Sequence, residues 1–190
     1  MLVVIINYCL NFGFVLLRTN EFLGWLFVGA VALVIFIVRT IVNEPKRKKA
    51  KNETENELAT TLKELEKNPD NVDLIIKKAT AIAYLEGVEK GFKIFDDAIL
   101  RIPNSGLLYY YRGWLTTQAN QNLPKEAYFF YAKAIELGGL DNGELTYAYN
   151  MRGQIGHNYN VIGAKADLFK AKSMGSKSAE NYIKKWRLKE

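Results

Sequence analysis

The sequence predicts an all-α protein: an N-terminal transmembrane helix or helical hairpin, then an α-solenoid of about three helix pairs and a C-terminal capping helix. Three observations predict it. Pro69 and Pro103 stand 34 residues apart, with two helix-length segments and one short turn, Glu86-Gly87, between them. Ala98, Ala134 and Ala171 follow one another at spacings of 36 and 37, so the unit recurs and the loops absorb the slack. Phe22 to Val38 is seventeen residues without a charge, close to the ~20 that a helix needs to cross a bilayer core.

Composition divides the chain of 190 residues in two. Residues 1–42 hold only three charges, Arg18, Glu21 and Arg39, whereas from Asn43 onward the chain is charged and helix-forming. The net charge of +6 gathers in Lys46-Arg47-Lys48-Lys49 with Lys51, and in Lys184, Lys185, Arg187 and Lys189. Both groups are short and the rest mixes signs, which does not favour nucleic acid as a partner. Cys9 is the only cysteine, so an intrachain disulfide and a cysteine metal cluster are both excluded. Ile6-Asn7-Tyr8 before it does not resemble a lipoprotein cleavage site.

Residues 1–42 form the membrane segment, with spans placed at 2–17 and 22–42. In the second, Arg39 lies near one end, where its stem can reach the interface. The first is interrupted by Asn7, Asn11 and Gly13, and two readings of it stay open. Either both runs span as a hairpin about Arg18-Thr19-Asn20-Glu21, or the first is tilted or interfacial. A removable signal peptide fits less well, because no basic start and no small-residue cleavage site are present. The basic residues at 46–51 lie within ten residues of the membrane end. Such residues stay on the cytoplasmic side, so an integral membrane protein is expected, its repeat domain facing the cytoplasm. The bilayer is its first partner.

Residues 43–53 read as a basic juxtamembrane linker, with Asn43-Glu44-Pro45 ending the membrane helix because proline lacks an amide donor. The helical domain spans 54–190. Leu58, Leu62 and Leu65 form an amphipathic stripe that stops before Asn68-Pro69, like the second half of a repeat whose first half is missing. The next pair is 72–85 and 88–101, where Gly91 allows close approach and Phe92, Phe95, Ala98 and Ile99 face inward. Ser105 is an N-cap candidate for the following helix, which carries Leu108, Tyr109, Arg112-Gly113 and Leu115. After a polar turn, Pro124 suits a helix start, and Gly138-Gly139 ends the helix of Ala127, Phe130, Tyr131 and Ala134. The third pair carries Leu145, Tyr149, Arg152-Gly153 and Gly156, then Ile162, Ala164, Leu168 and Ala171, with Gly175 as a stop. A last helix over 177–188 puts Ala179, Tyr182, Ile183 and Trp186 on one face and charge on the other, which suits a terminal cap.

Tyr109-x-x-Arg112-Gly113 and Tyr149-x-x-Arg152-Gly153 resemble the helix-A signature of tetratricopeptide repeats. Gly91-x-x-x-Phe95-x-x-Ala98 and Ala127-x-x-x-Tyr131-x-x-Ala134 resemble the helix-B signature of that family. The resemblance covers about 52–190, and three matches in phase make it specific. Ala79 departs from it by replacing the helix-A glycine of the first unit. The loop in the second unit is longer by about two, and the third has slipped spacing in helix B. The resemblance implies a protein-binding domain with no cofactor, in which helix-A residues that avoid the core line a concave groove. In the phase of Gly113 and Gly153, those positions are Lys77, Thr80 and Tyr84, then Tyr110, Tyr111, Trp114 and Gln118, then Asn150, Gln154 and Asn158, with Tyr147 beside them. Tyr and Trp offer large contact areas with a polar handle, and amides can hydrogen-bond an extended peptide backbone.

Catalysis has little to work with. His157, the only histidine, has no cysteine or carboxylate at ligand spacing, and Gly138-Gly139 lacks the lysine of a phosphate loop. Asp96-Asp97 and Asp167 read as solvated faces of the second helices. The expected function is therefore a membrane-anchored adaptor that binds a partner protein or peptide. The alternative is an accessory subunit of a membrane transport, secretion or envelope complex, held mainly through its transmembrane helices.

Overall fold

The computed structural model describes residues 21–120 and 124–189, and within these the side chains outside 21–24, 26–27 and 35–42. Among the described residues the regular structure is eight α-helices and no strand, as the fold class required. They are α1 (Glu21–Lys67), α2 (Val72–Glu86), α3 (Val88–Arg101), α4 (Gly106–Ala119), α5 (Lys125–Leu137), α6 (Asn142–Asn158), α7 (Ala164–Ser173) and α8 (Lys177–Trp186). The chain divides into two compact units, Met1–Glu53 and Thr54–Glu190.

In the first unit, the run 2–17 lies outside the described residues, and so do most side chains of 22–42. Among the described residues, no helix is long and apolar enough to cross a membrane. Trp25, Leu33 and Val34 are exposed there. The break expected at Asn43-Glu44-Pro45 does not occur, because α1 runs through Pro45 to Lys67. Proline costs a helix interior about 3 kcal/mol, and the residues after it offset that cost: 46–67 is rich in Lys, Glu, Ala and Leu. An i,i+4 pair, Lys49–Glu53 at 3.8 Å, adds a little on the surface. The basic segment is thus helical, and 44–53 is exposed as expected.

In the second unit the helix boundaries follow the local chemistry. Asn71, Ser105 and Ser176 cap α2, α4 and α8, each accepting a hydrogen bond from the amide three residues on. Asp141 and Glu144 form a reciprocal capping box at the start of α6. Gly87, Gly138, Gly139 and Gly175 end helices with φ of 110°, 73°, 75° and 92°, values that L side chains rarely adopt.

Each helix from α2 to α8 packs on its neighbours in sequence, and beyond these α2 touches α4 and α6 touches α8. This stacking is compatible with an α-solenoid. The core follows the pairs as three clusters, centred on Phe95 and Leu108, on Tyr131 and Ile155, and on Leu168 and Ile183. Small residues bring the pairs together. A methyl on Gly113 would lie 3.0 Å from Phe130 Cβ, and one on Gly153 would lie 2.8 Å from Leu168 Cγ. In the first pair the roles are exchanged: a methyl on Gly91 of α3 would lie 2.9 Å from the Ala79 carbonyl of α2. Ala79 is therefore tolerated because its opposite number is the glycine. The stripe on 54–67 also differs from expectation. Thr61 is buried between half-buried Leu58 and Leu65, while Leu62 is 40% exposed. Thr61 Oγ1 donates to the Glu57 carbonyl at 2.9 Å, which removes the cost of burying it.

Candidate functional site

The eleven groove positions fall into three groups along α2, α4 and α6. On α2, Lys77, Thr80 and Tyr84 face the end of α1, and with Thr54, Glu57, Leu58 and Thr61 they line a hollow of about 250 Å³. Tyr84 and Lys77 are exposed. Thr80 Oγ1 donates to the Ile76 carbonyl of its own helix at 2.8 Å. The end of α1 before Pro69 thus lies against these α2 positions.

On α4 the aromatics divide. Tyr110 is only 7% exposed. Its ring meets those of Tyr131 at 6.2 Å and Tyr147 at 6.1 Å, edge to face, an arrangement that favours the quadrupoles. It belongs mainly to the core and leaves little to a partner. Burial, then the nearby Tyr147, Tyr111, Glu144 and Asp141, push its phenol well above the ordinary range. Tyr111 and Trp114 stay half-buried, ring to ring at 6.4 Å. Tyr111 donates to Glu144 Oε1 at 3.2 Å, which ties α4 to the cap of α6. Burial first, and then the Glu144 charge, raise its phenol too. Gln118 is exposed near the end of α4.

On α6, Tyr147, Asn150 and Gln154 line a hollow of about 810 Å³ that Met174, Gly175, Ser176 and Ser178 close from the α7–α8 corner. No charged side chain lines it. The amides are not free. Asn150 is buried and donates to Ser178 Oγ at 3.3 Å. Gln154 Nε2 reaches Asn150 Oδ1 at 2.8 Å and Ser178 Oγ at 3.3 Å. Asn158, exposed, accepts from the Tyr182 hydroxyl at 2.8 Å. His157 Nδ1 lies 3.1 Å from the same hydroxyl. These positions therefore hold α8, and Asn150 and Gln154 also face the hollow.

Two arginine sites were not legible as such in the sequence. Arg112 lies over Phe92 at 3.9 Å and Phe130 at 4.6 Å, and donates to Asp96 at 2.8 Å and Thr116 Oγ1 at 2.6 Å. Arg152 grips Asp167 through two bonds of 2.7 Å. Asp167 is 8% exposed, so the solvated face expected for it is corrected: a charge this buried needs a partner. The repeated Arg-Gly step was the available signal, but not which acid each arginine would meet. Arg112 reaches back to α3, whereas Arg152 reaches forward to α7.

The arrangement offers aromatic edges, hydroxyls and amides, which suit binding. Among the described residues, no group of three or more His, Cys, Asp or Glu side chains is placed to hold a metal ion. No protein-family model matches the chain, and no curated protein matches it.

Proposed function

We propose that this chain is a membrane-anchored protein–protein interaction adaptor. In this reading its helix pairs are tetratricopeptide-like, and the face of α2, α4 and α6 binds a partner protein or peptide near the cytoplasmic side of the membrane. The observation that carries it is the half-buried Tyr111–Trp114 pair of α4, and α6 adds a hollow lined by hydroxyls, amides and thioethers and by no charge. Aromatics with a polar edge are the side chains that concentrate binding energy at interfaces. The uncharged run 22–38 supports the anchor, as does the exposure of Trp25, Leu33 and Val34. The basic residues 46–51 support the orientation. The function follows from confinement: an anchored adaptor raises the effective concentration of whatever it holds at the bilayer.

A second reading puts the main contact in the membrane, as an accessory subunit of a larger complex. Gly29, a small exposed residue within the apolar run, favours it, since small residues let helices pack closely.

One experiment separates the two. A photo-crosslinking residue is placed in the full-length chain, in its membrane, at Trp114, at Gln154, at Val34 and at the exposed outer residue Leu100. The adaptor reading expects one common adduct from Trp114 and Gln154, and none from Leu100. Trp114→Ala should weaken that complex at least tenfold. An adduct from Val34 alone selects the accessory subunit, and identical adducts from Leu100 and Trp114 overturn the groove.

A further inference from the structure

Residues 164–189 carry eight Lys and Arg against two carboxylates, a surplus of six that equals the net charge of the whole chain. Both carboxylates are engaged: Asp167 by Arg152, and Glu180 by Lys184 at 2.6 Å. Lys165, Lys170, Lys172 and Lys177 are exposed along α7 and the start of α8, and Lys185, Arg187 and Lys189 are exposed at its end. Among the described residues, Lys184 is the one of these eight cations with a carboxylate in ion-pair range. Lys184 first, then Lys172 and Lys177, act on the Glu180 carboxylate and hold it below its usual range. Aromatic rings lie beside them. Trp186 is 50% exposed at the edge where its ring packs on His157 at 5.6 Å and Tyr182 at 6.0 Å, with Lys185 Nζ 5.6 Å from its centroid, and Lys172 Nζ lies 5.9 Å from that of Phe169.

We infer that the outer face of α7 and α8 is a docking surface for anionic phospholipid headgroups. The charge is complementary to phosphate, and each Lys or Arg near such a surface strengthens attachment about fivefold. The aromatic component selects a bilayer over other polyanions. An indole prefers the headgroup level, where its ring is apolar and its N–H wet, while flanking Lys and Arg reach the phosphates. Trp186 between Lys185 and Arg187, with Leu188 following, has that composition. The cations of this surface lie on α7, α8 and the residues after it, and not on α2, α4 or α6, while Trp186 meets His157 of α6. The surface gives the repeat unit a lipid contact of its own, sensitive to headgroup charge, whatever residues 1–42 do.

The test uses the full-length chain with Trp25→Phe and Trp114→Phe, so that Trp186 alone reports, after circular dichroism shows the parent's helix content. The chain is mixed with vesicles of phosphatidylcholine alone, or of phosphatidylcholine with phosphatidylserine, and Trp186 is quenched by lipids brominated near the headgroup. Quenching is expected with phosphatidylserine and not without it, and high salt should remove it. Lys172→Gln/Lys177→Gln/Lys185→Gln should weaken it about a hundredfold. Equal quenching on both vesicles, or an unaffected triple variant, overturns the proposal. So does binding to duplex DNA in preference to the anionic vesicles. Sedimentation with phosphatidylcholine alone reports the hydrophobic anchor, so failure of the anchor and failure of this surface are read separately.

Discussion

Tyr131 has no exposed surface, and its hydroxyl has one buried neighbour of its own kind, Thr117 Oγ1 at 3.1 Å. Burial pushes its phenol far above the ordinary value of 10.0, only partly offset by that hydrogen bond, and Tyr110 shifts the same way. Both phenols are thus raised in the folded state relative to the unfolded one. The stability they contribute is fully present below about pH 10 and is lost as the pH rises past it, because the unfolded chain then ionises more readily. An alkaline titration followed by phenolate absorbance should show tyrosines that ionise only as circular dichroism is lost. Ionisation of every tyrosine with the helices intact would contradict the packing around Tyr131. The same scale explains the exchange at Ala79. Helix approach needs one small residue at each crossing, and Gly91 supplies it from the opposite helix.

Among the elements, α6 has the most complete start. Asp141 accepts from the Glu144 amide at 2.7 Å, and Glu144 accepts from the Asp141 amide at 3.0 Å. Glu144 also receives the Tyr111 hydroxyl, so this cap joins two of the helices that carry the candidate binding face. Asp141→Ala should cost about 1 kcal/mol of stability in thermal unfolding. It should also loosen Tyr111, read as faster hydrogen exchange over the first turn of α6 than over α4. Unchanged exchange there would show that the tertiary contacts hold α6 without its cap. α1 makes the opposite point, since an unfavourable residue, Pro45, sits inside a helix that continues for more than five turns after it. Propensity summed over 46–67 outweighs one lost hydrogen bond and one clash.

Across the unit Thr54–Glu190, each helix meets mainly its neighbours in sequence. Stability in such an array is close to a sum of local terms. Leu168 is fully buried in the last cluster, and Leu168→Ala should cost about 3 kcal/mol. The loss should appear as faster hydrogen exchange in α7 and α8, with α2 and α3 protected as before. Uniform loss across all the helices would show a single cooperative unit instead. The arrangement also explains why α8 matters to the candidate site. That helix bonds to α6 through the side-chain amides of Asn150, Gln154 and Asn158.

Much of this was readable one residue at a time. The helix pairs, their glycine stops, the caps at Ser105 and Asp141 and the inward alanines follow from the sequence, because a turn, a cap or a 3.6-residue stripe involves groups only a few positions apart. The helix continues through Pro45 because a local penalty is weighed against the whole run that follows. Only the tertiary structure decided which groove positions stay open. Tyr110 is buried in the core while Tyr111 and Trp114 pack on its edge and stay half-exposed, and the amides of α6 are shared with a helix 24 to 28 residues away. It likewise decided that Asp167 is a buried partner rather than a solvated acid. Sequence by itself determined the order and phase of the helices, since those rest on short-range stereochemistry. Tertiary packing decided what each outward position faces, since that depends on where a distant segment comes to lie.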